Sequence, residues 1–290
     1  MELAPPALLP PLRIGPRTFA WGERTFVMGI VNVTPDSFSG DGLLAGTAVE
    51  PVAAAVAQAR QMVAAGADLL DIGGESTRPG HTEVSTDDEL ARVVPVVAAI
   101  RAALPDTPLS IDTTKPAVAA AALDAGADLL NDIWATGPAD DLVRLAAERG
   151  VPHVLMHNRA EPLYDDVVGE VVADLRLAIE RAVRLGVPFE RLIVDPGIGF
   201  GKTAEHNLRL LHELGALRQL GRPILLGFSR KSTIGKVLDL PVDERLAGTL
   251  ATTALGVAAG ADILRVHDVA ANVRAARMTD AVVRGWHEAG

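Results

Sequence analysis

The chain of 290 residues is 49% hydrophobic and 22% charged, close to globular averages, so it can build one large core and lacks the composition of a long disordered segment. Asp and Glu outnumber Lys and Arg by 37 to 27, and the net charge of −10 argues against a general nucleic-acid binder while allowing an anionic small ligand where the few cations converge. With no cysteine there is no disulfide framework, thiolate metal site or cysteine nucleophile, which suits a cytoplasmic enzyme better than a small secreted scaffold.

The head, residues 1–25, is broken by Pro5, Pro6, Pro10 and Pro11 and lacks the cationic start and apolar core of a signal peptide. Within it, Arg17–Thr25 is expected to form a hairpin, and residues 26–290 to form one domain. Short apolar runs that do not alternate mark strands covered on both faces. Eight are placed, at Phe26–Val33, Leu69–Ile72, Leu109–Asp112, Leu129–Ile133, His153–Met156, Leu192–Asp195, Ile224–Phe228 and Ile263–Val266. Helix-period segments fall between them, among them Ala48–Ala65, Thr86–Ala103, Lys115–Asp124, Asp140–Glu148, Val167–Leu185, Ala204–Leu220 and Arg245–Ala259. The longest uncharged run, Leu246–Ala261, is too short and too interrupted to span a bilayer. Three helix-to-strand joints share nearly one text, Ala65-Gly66-Ala67-Asp68, Ala125-Gly126-Ala127-Asp128 and Ala259-Gly260-Ala261-Asp262, in which Gly ends the helix in a left-handed turn.

Such repetition fits either an open doubly wound sheet or a (β/α)8 TIM barrel with a short N-terminal extension. An open sheet gathers unusual residues at one switch point, whereas a barrel takes them from most strand ends. Here every strand runs into polar residues. Strand one leads to Asn32 and on to Phe38, strand two to Gly73-Gly74-Glu75-Ser76-Thr77-Arg78-Pro79, strand three to Asp112 and strand four to Asn131-Asp132. Met156-His157-Asn158-Arg159, Asp195 with Gly197-Ile198-Gly199-Phe200-Gly201-Lys202, Ser229-Arg230-Lys231-Ser232 and Arg265-Val266-His267-Asp268 complete the set. The barrel is the expected fold.

Buried carboxylates are costly unless donors meet them. Asp112 and Asp195 at the mouth of an apolar barrel therefore call for a ligand rich in N–H groups, such as the aminopyrimidine edge of a heterocycle. Asn131 can give and take hydrogen bonds, and Lys231 can donate to a ring nitrogen or carbonyl. Asn32, Thr77, Arg78, Arg265 and His267 form a second set, mostly donors, on strands that adjoin once the barrel closes; it suits a phosphate or diphosphate. One ligand with a heterocyclic end and an anionic end is expected.

The runs Met28-Gly29-Ile30-Val31-Asn32-Val33-Thr34-Pro35-Asp36-Ser37-Phe38-Ser39, Gly73 to Gly80, Asp195 to Lys202, Ser229 to Ser232 and Arg265 to Asp268, in that order, closely resemble the dihydropteroate synthases. The resemblance covers about residues 26 to 280. It implies condensation of 6-hydroxymethyl-7,8-dihydropterin diphosphate with p-aminobenzoate to give 7,8-dihydropteroate and pyrophosphate, by a dissociative substitution. It further implies that Asp112, Asn131, Met156, Asp195 and Lys231 hold the pterin, and that Asn32 helps bind Mg²⁺. Thr77, Arg78, Arg265 and His267 would take the diphosphate, and Phe38, Pro79, Phe200 and Ser232 the p-aminobenzoate. A homodimer is the family pattern. Many members read Met-His-Met-Gln-Gly after strand five, where this chain has Met156-His157-Asn158-Arg159-Ala160, so no role passes to Asn158 or Arg159.

Two other functions compete. A folate-binding barrel that passes a methyl group to a corrinoid protein would not need Thr77-Arg78-Pro79, or Arg265 with His267. A module that merely sequesters pterin would tolerate losing Asn32, Phe38 or Ser232. Plainer readings apply elsewhere. His81, His153, His206, His212 and His287 are surface or core groups, Glu75 an acceptor for nearby backbone N–H groups, and Asp87-Asp88-Glu89 the acidic first turn of a capped helix. Lys202 and Arg230 stay open between ligand contact and a solvent-facing rim.

Overall fold

In the chain, described here by a computed structural model over residues 9–33, 51–75 and 84–286, a two-stranded hairpin is followed by alternating strands and helices. The elements are β1 (Leu12–Ile14), β2 (Arg17–Phe19), β3 (Phe26–Asn32), α1 (Pro51–Ala64), β4 (Leu69–Gly73), α2 (Thr86–Ala103), β5 (Leu109–Asp112), α3 (Pro116–Asp124) and β6 (Leu129–Asp132). Then come α4 (Asp141–Arg149), β7 (His153–Met156), α5 (Val167–Arg184), β8 (Leu192–Asp195), α6 (Ala204–His212), β9 (Leu225–Leu226), α7 (Ser232–Leu238), α8 (Leu246–Ala259), β10 (Ile263–Val266) and α9 (Val269–Val283). The eight strands from β3 onward pair in parallel in chain order, and β10 pairs back onto β3. A bridge between Val194 and Ile224 closes the ring between β8 and β9. The fold is the TIM barrel.

Side chains alternate across each strand, and that parity builds the site. Outward residues such as Val27, Val31, Leu70, Ile72, Ile111, Leu130, Val194 and Leu264 join the helices in one core. Inward residues Met28, Leu69, Leu129, Val154, Ile193, Leu225 and Ile263 form a separate apolar layer, stopped from below by Leu12, Ile14, Phe19 and Trp21. The hairpin is therefore a plug. It runs from Leu12 to Phe19, with Gly15-Pro16 at the turn, and so begins earlier than the expected Arg17–Thr25.

The repeated Ala-Gly-Ala-Asp joints each do two jobs. Gly66, Gly126 and Gly260 take φ near +102°, +114° and +101°, a conformation that a Cβ resists. The Asp that follows accepts the backbone N–H that opens the neighbouring strand: Asp68 from Val27 at 2.8 Å, Asp128 from Leu109 at 2.9 Å and Asp262 from Ile224 at 2.9 Å. These carboxylates set the register at the bottom of the barrel. Two expected segments differ. The helix expected over Ala204–Leu220 ends at His212 and continues as a 3-10 turn over Leu214–Leu220, where Gly215 weakens the α-helix. The strand expected at Ile224–Phe228 shrinks to Leu225–Leu226.

Candidate active site

Two residues beyond the apolar layer, the same parity turns a second ring of side chains into the barrel. Asp71 follows Leu69, Asn131 follows Leu129, Met156 follows Val154, Asp195 follows Ile193 and Arg265 follows Ile263; Asp112 ends β5, paired in register with Asn131. Arg265 binds this ring together, donating through Nε to Asp71 Oδ2 and through Nη2 to Asp112 Oδ2, each at 2.6 Å. Asn131 donates to the same Asp71 oxygen at 3.1 Å. Asp195 Oδ1 accepts from Gly197 N–H at 2.7 Å. The Lys231 ammonium lies 4.2 Å from the centroid of the Phe200 ring, a cation–π contact.

Charges are strained here. Burial raises the Asp112 carboxyl to about 7, with Arg265 opposing and Asp71 adding to the rise. Burial likewise raises Asp195 to about 6, against the Gly197 N–H and Lys231. Arg265 stays firmly charged: burial disfavours its cation, but Asp71 and Asp112 outweigh that. Asp112 Oδ1 is buried with no hydrogen-bond partner among the described residues. A buried carboxylate oxygen without a donor is a site for a ligand N–H.

The structure thus brings Asp112, Asn131, Met156, Asp195 and Arg265 into one ring, with Lys231 close enough to act on both carboxylates. Arg265 joins this ring through two ion pairs, which use two of its five N–H groups and leave others for an anion. His267, next along the strand face, has Nδ1 3.0 Å from Ser229 Oγ. Asn32 ends β3, half-buried beside β10 and β4. Phe200 lies in the loop after β8, and Ser232 is exposed at the first turn of α7. Phe38, Thr77, Arg78 and Pro79 lie outside the described residues.

Asp71 was missed, although a lone carboxylate in Leu69-Leu70-Asp71-Ile72 with the parity of Leu69 is a readable signal. The open rim cations resolve. Arg230, at φ +56°, forms a two-pronged ion pair with Asp268 at 2.6 and 2.9 Å, tying the loop after β9 to that after β10. Lys202 turns back against His157. The plain reading of Glu75 holds, since it accepts from Val84 N–H and pairs with Lys115. The acidic turn at Asp87 does open a capped helix, with Ser85 as the cap. Thr203 caps α6, His206 completing the capping box by accepting the Thr203 backbone N–H, while His153 is wholly buried.

A closed β/α barrel whose mouth presents carboxylates and an amide to a nitrogen-rich ring, beside arginine and histidine for an anion, defines an enzyme for an anion-tailed heterocycle. The comparisons with known proteins agree. Residues 28–267 match the family described as "Pterin binding enzyme". The chain is 48% identical, over 94% of its length and the whole of the relative, to the dihydropteroate synthase of Clostridium beijerinckii. It superposes with a TM-score of 0.87 on the Xanthomonas albilineans dihydropteroate synthase with 4-aminobenzoic acid, at 45% identity over 94% of this chain and 98% of that one. Against the same enzyme in complex with 7,8-dihydropteroate the TM-score is 0.84, at 44% identity over 94% and 98%. The chain belongs to the pterin binding enzyme family, among its dihydropteroate synthases.

Proposed function

We propose that the chain condenses 6-hydroxymethyl-7,8-dihydropterin diphosphate with p-aminobenzoate, releasing pyrophosphate and 7,8-dihydropteroate. The observation that carries this reading is the buried ring of Asp112, Asn131 and Asp195, with the Asp112 Oδ1 left for a ligand N–H. Those three residues and Lys231 hold the pterin edge, and Met156 packs on its face. Arg265 and His267, with Thr77 and Arg78, take the diphosphate. Phe200 and Ser232, with Phe38 and Pro79, enclose the p-aminobenzoate.

The reaction is a dissociative substitution. The C–O bond to the diphosphate breaks first, leaving a cation on the pterin methylene, and the neutral aniline nitrogen then attacks it. Asp112 and Asp195 favour the electron-poor ring, and Arg265 gathers the charge of the departing diphosphate. Asn32 supplies one neutral oxygen at the end of β3. A partly buried neutral amide oxygen suits a hard, water-retaining cation, and Asn32 would hold Mg²⁺ there. When bound, Mg²⁺ would neutralise charge on the leaving group.

The chain works as a cytoplasmic homodimer in this reading. Support for the dimer comes from Val237 and Leu238 on α7, Leu255 on α8 and Met278 and Val282 on α9, all exposed on helices packed side by side. In the described residues no helix is long and apolar enough to cross a membrane. The purified chain should form dihydropteroate and pyrophosphate only with both substrates, and lose that activity on chelation and regain it with Mg²⁺. Failure to form dihydropteroate from the two substrates and Mg²⁺ refutes the reading.

A further inference from the structure

Behind the ring lies a polar cluster that the reaction above does not use. His157, one residue past β7, is fully buried; its Nε2 lies 3.0 Å from Asp174 Oδ2 on α5 and its Nδ1 2.9 Å from Lys202 Nζ. An ammonium can only donate, so Nδ1 accepts and Nε2 carries the proton given to Asp174, a tautomer assigned from this geometry. Lys202 also donates to Phe200 O at 3.0 Å and to His157 O at 3.4 Å. Its three N–H groups are all engaged. Arg159 reaches the same Asp174 oxygen through Nε and Nη2, at 3.1 and 2.7 Å, and stacks on Tyr164, whose hydroxyl donates to Gly201 O at 3.0 Å.

The two loops joined in this way lie against each other with no space between their backbones. Gly197 and Gly201 take φ of +69° and +54°, and a Cβ on either would run into the carbonyl of His157 or Arg159. The loop after β8 leaves Asp195, crosses Phe200 and is fastened at Lys202 to a histidine that α5 holds rigid.

We propose that Lys202 is a positioning residue for the p-aminobenzoate subsite, tying the Phe200 backbone to the His157–Asp174 pair so that the ring wall is in place before the second substrate arrives. The inference rests on the assignment of Phe200 to that subsite. Asp195, at the other end of the loop, is held by its own strand β8, so the pterin end depends less on the tie. Burial pushes the Lys202 ammonium down to about 7; Asp195 and Asp174 oppose that, and Arg159 and Lys231 reinforce it. His157, lowered to about 4 by burial and by Lys202, stays neutral above that pH. Loss of the Lys202 proton removes one of its three donors, so the tie weakens as pH rises through neutrality.

The test is steady-state kinetics of the full chain with Mg²⁺, each substrate varied in turn, for wild type, Lys202→Met and Lys202→Arg. The expected result is a KM for p-aminobenzoate raised at least tenfold in Lys202→Met, with the KM for the pterin diphosphate changed less than threefold and largely restored p-aminobenzoate KM in Lys202→Arg. Across pH 6 to 9 the wild-type KM for p-aminobenzoate should climb, while that of Lys202→Arg, which keeps its charge, stays flat. A wild-type KM for p-aminobenzoate in Lys202→Met, or a parallel rise for both substrates, overturns the proposal. Should Lys202→Met fail to fold, parallel pH profiles of wild type and Lys202→Arg overturn it instead. Wild-type synthesis of dihydropteroate tests the underlying function separately, so either can fail alone.

Discussion

Replacing Asp112 by Asn exchanges a buried carboxylate for a neutral group of the same shape, and its consequences for stability and for binding run in opposite directions. In the folded chain the Asp112 carboxyl is raised from 3.8 to about 7. The unfolded chain therefore releases this proton near pH 4 while the native state keeps it to about 7, and stability falls as pH rises through that window. From pH 5 to 7 the loss is about 3 kcal/mol, at ~1.4 kcal/mol for each pH unit. The Asn variant has no such dependence, yet its amide oxygen can still accept from Arg265. Asp195, raised to about 6, adds a slope of the same sign to both proteins and cancels in the comparison. Relative to the variant, wild type should thus lose about 3 kcal/mol, or on the order of 5 °C in Tm for a chain of this size, between pH 5 and pH 8. Pterin affinity measured by calorimetry at pH 8 should fall by about 10- to 100-fold in the variant, because a charge-assisted hydrogen bond becomes a neutral one. Identical pH dependence of stability in the two proteins, or undiminished pterin affinity, would refute the reasoning.

Asp71→Ala leaves Arg265 Nε and the Asn131 amide without their shared acceptor; breaking a buried pair in this way should cost about 3–5 kcal/mol in urea unfolding and lower turnover at least a hundredfold, and unchanged values of both would show that Asp71 does not organise the ring. Phe19→Ala empties the centre of the plug, where the ring is 1% exposed and packs 4.7 Å from that of Phe26. A loss of about 3–5 kcal/mol is expected with little change in the KM for either substrate, and a stability within 1 kcal/mol of wild type would mean that the hairpin is not part of the core.

Much of this was legible because barrels are repetitive. The three Ala-Gly-Ala-Asp joints announce helix-to-strand turns, although only the folded structure shows their aspartates reaching the neighbouring strand. Asp112, Asn131 and Asp195 stood out as polar ends of apolar strands, and Arg265 as a cation for the anionic end of a ligand, whereas its ion pairs with Asp71 and Asp112 appear only once the barrel closes. Asp71 was hidden inside a strand, where one acid among leucines draws no notice unless the inward parity is followed from Leu69. His157, Asp174 and Lys202 were illegible for another reason: they sit on three elements separated by tens of residues, and no local pattern tells that a loop lysine turns back to meet a buried imidazole. The hairpin was foreseen in kind but not in extent, since Leu12 and Ile14 look like ordinary head residues until the floor they seal is known.

That plug seals the floor of the barrel, so among the described residues the way in lies at the mouth formed by the strands' far ends. Whatever enters must leave by the same door, and the carboxylate ring lies deeper than the loop bearing Phe200. With Phe200 in the p-aminobenzoate wall, as proposed above, the bicyclic substrate would be seated before its aromatic partner, and the finished product would withdraw with its first-seated end emerging last. A sequence of arrivals and departures is thereby written into a few apolar side chains at the far end of the molecule, remote from any bond that is made or broken.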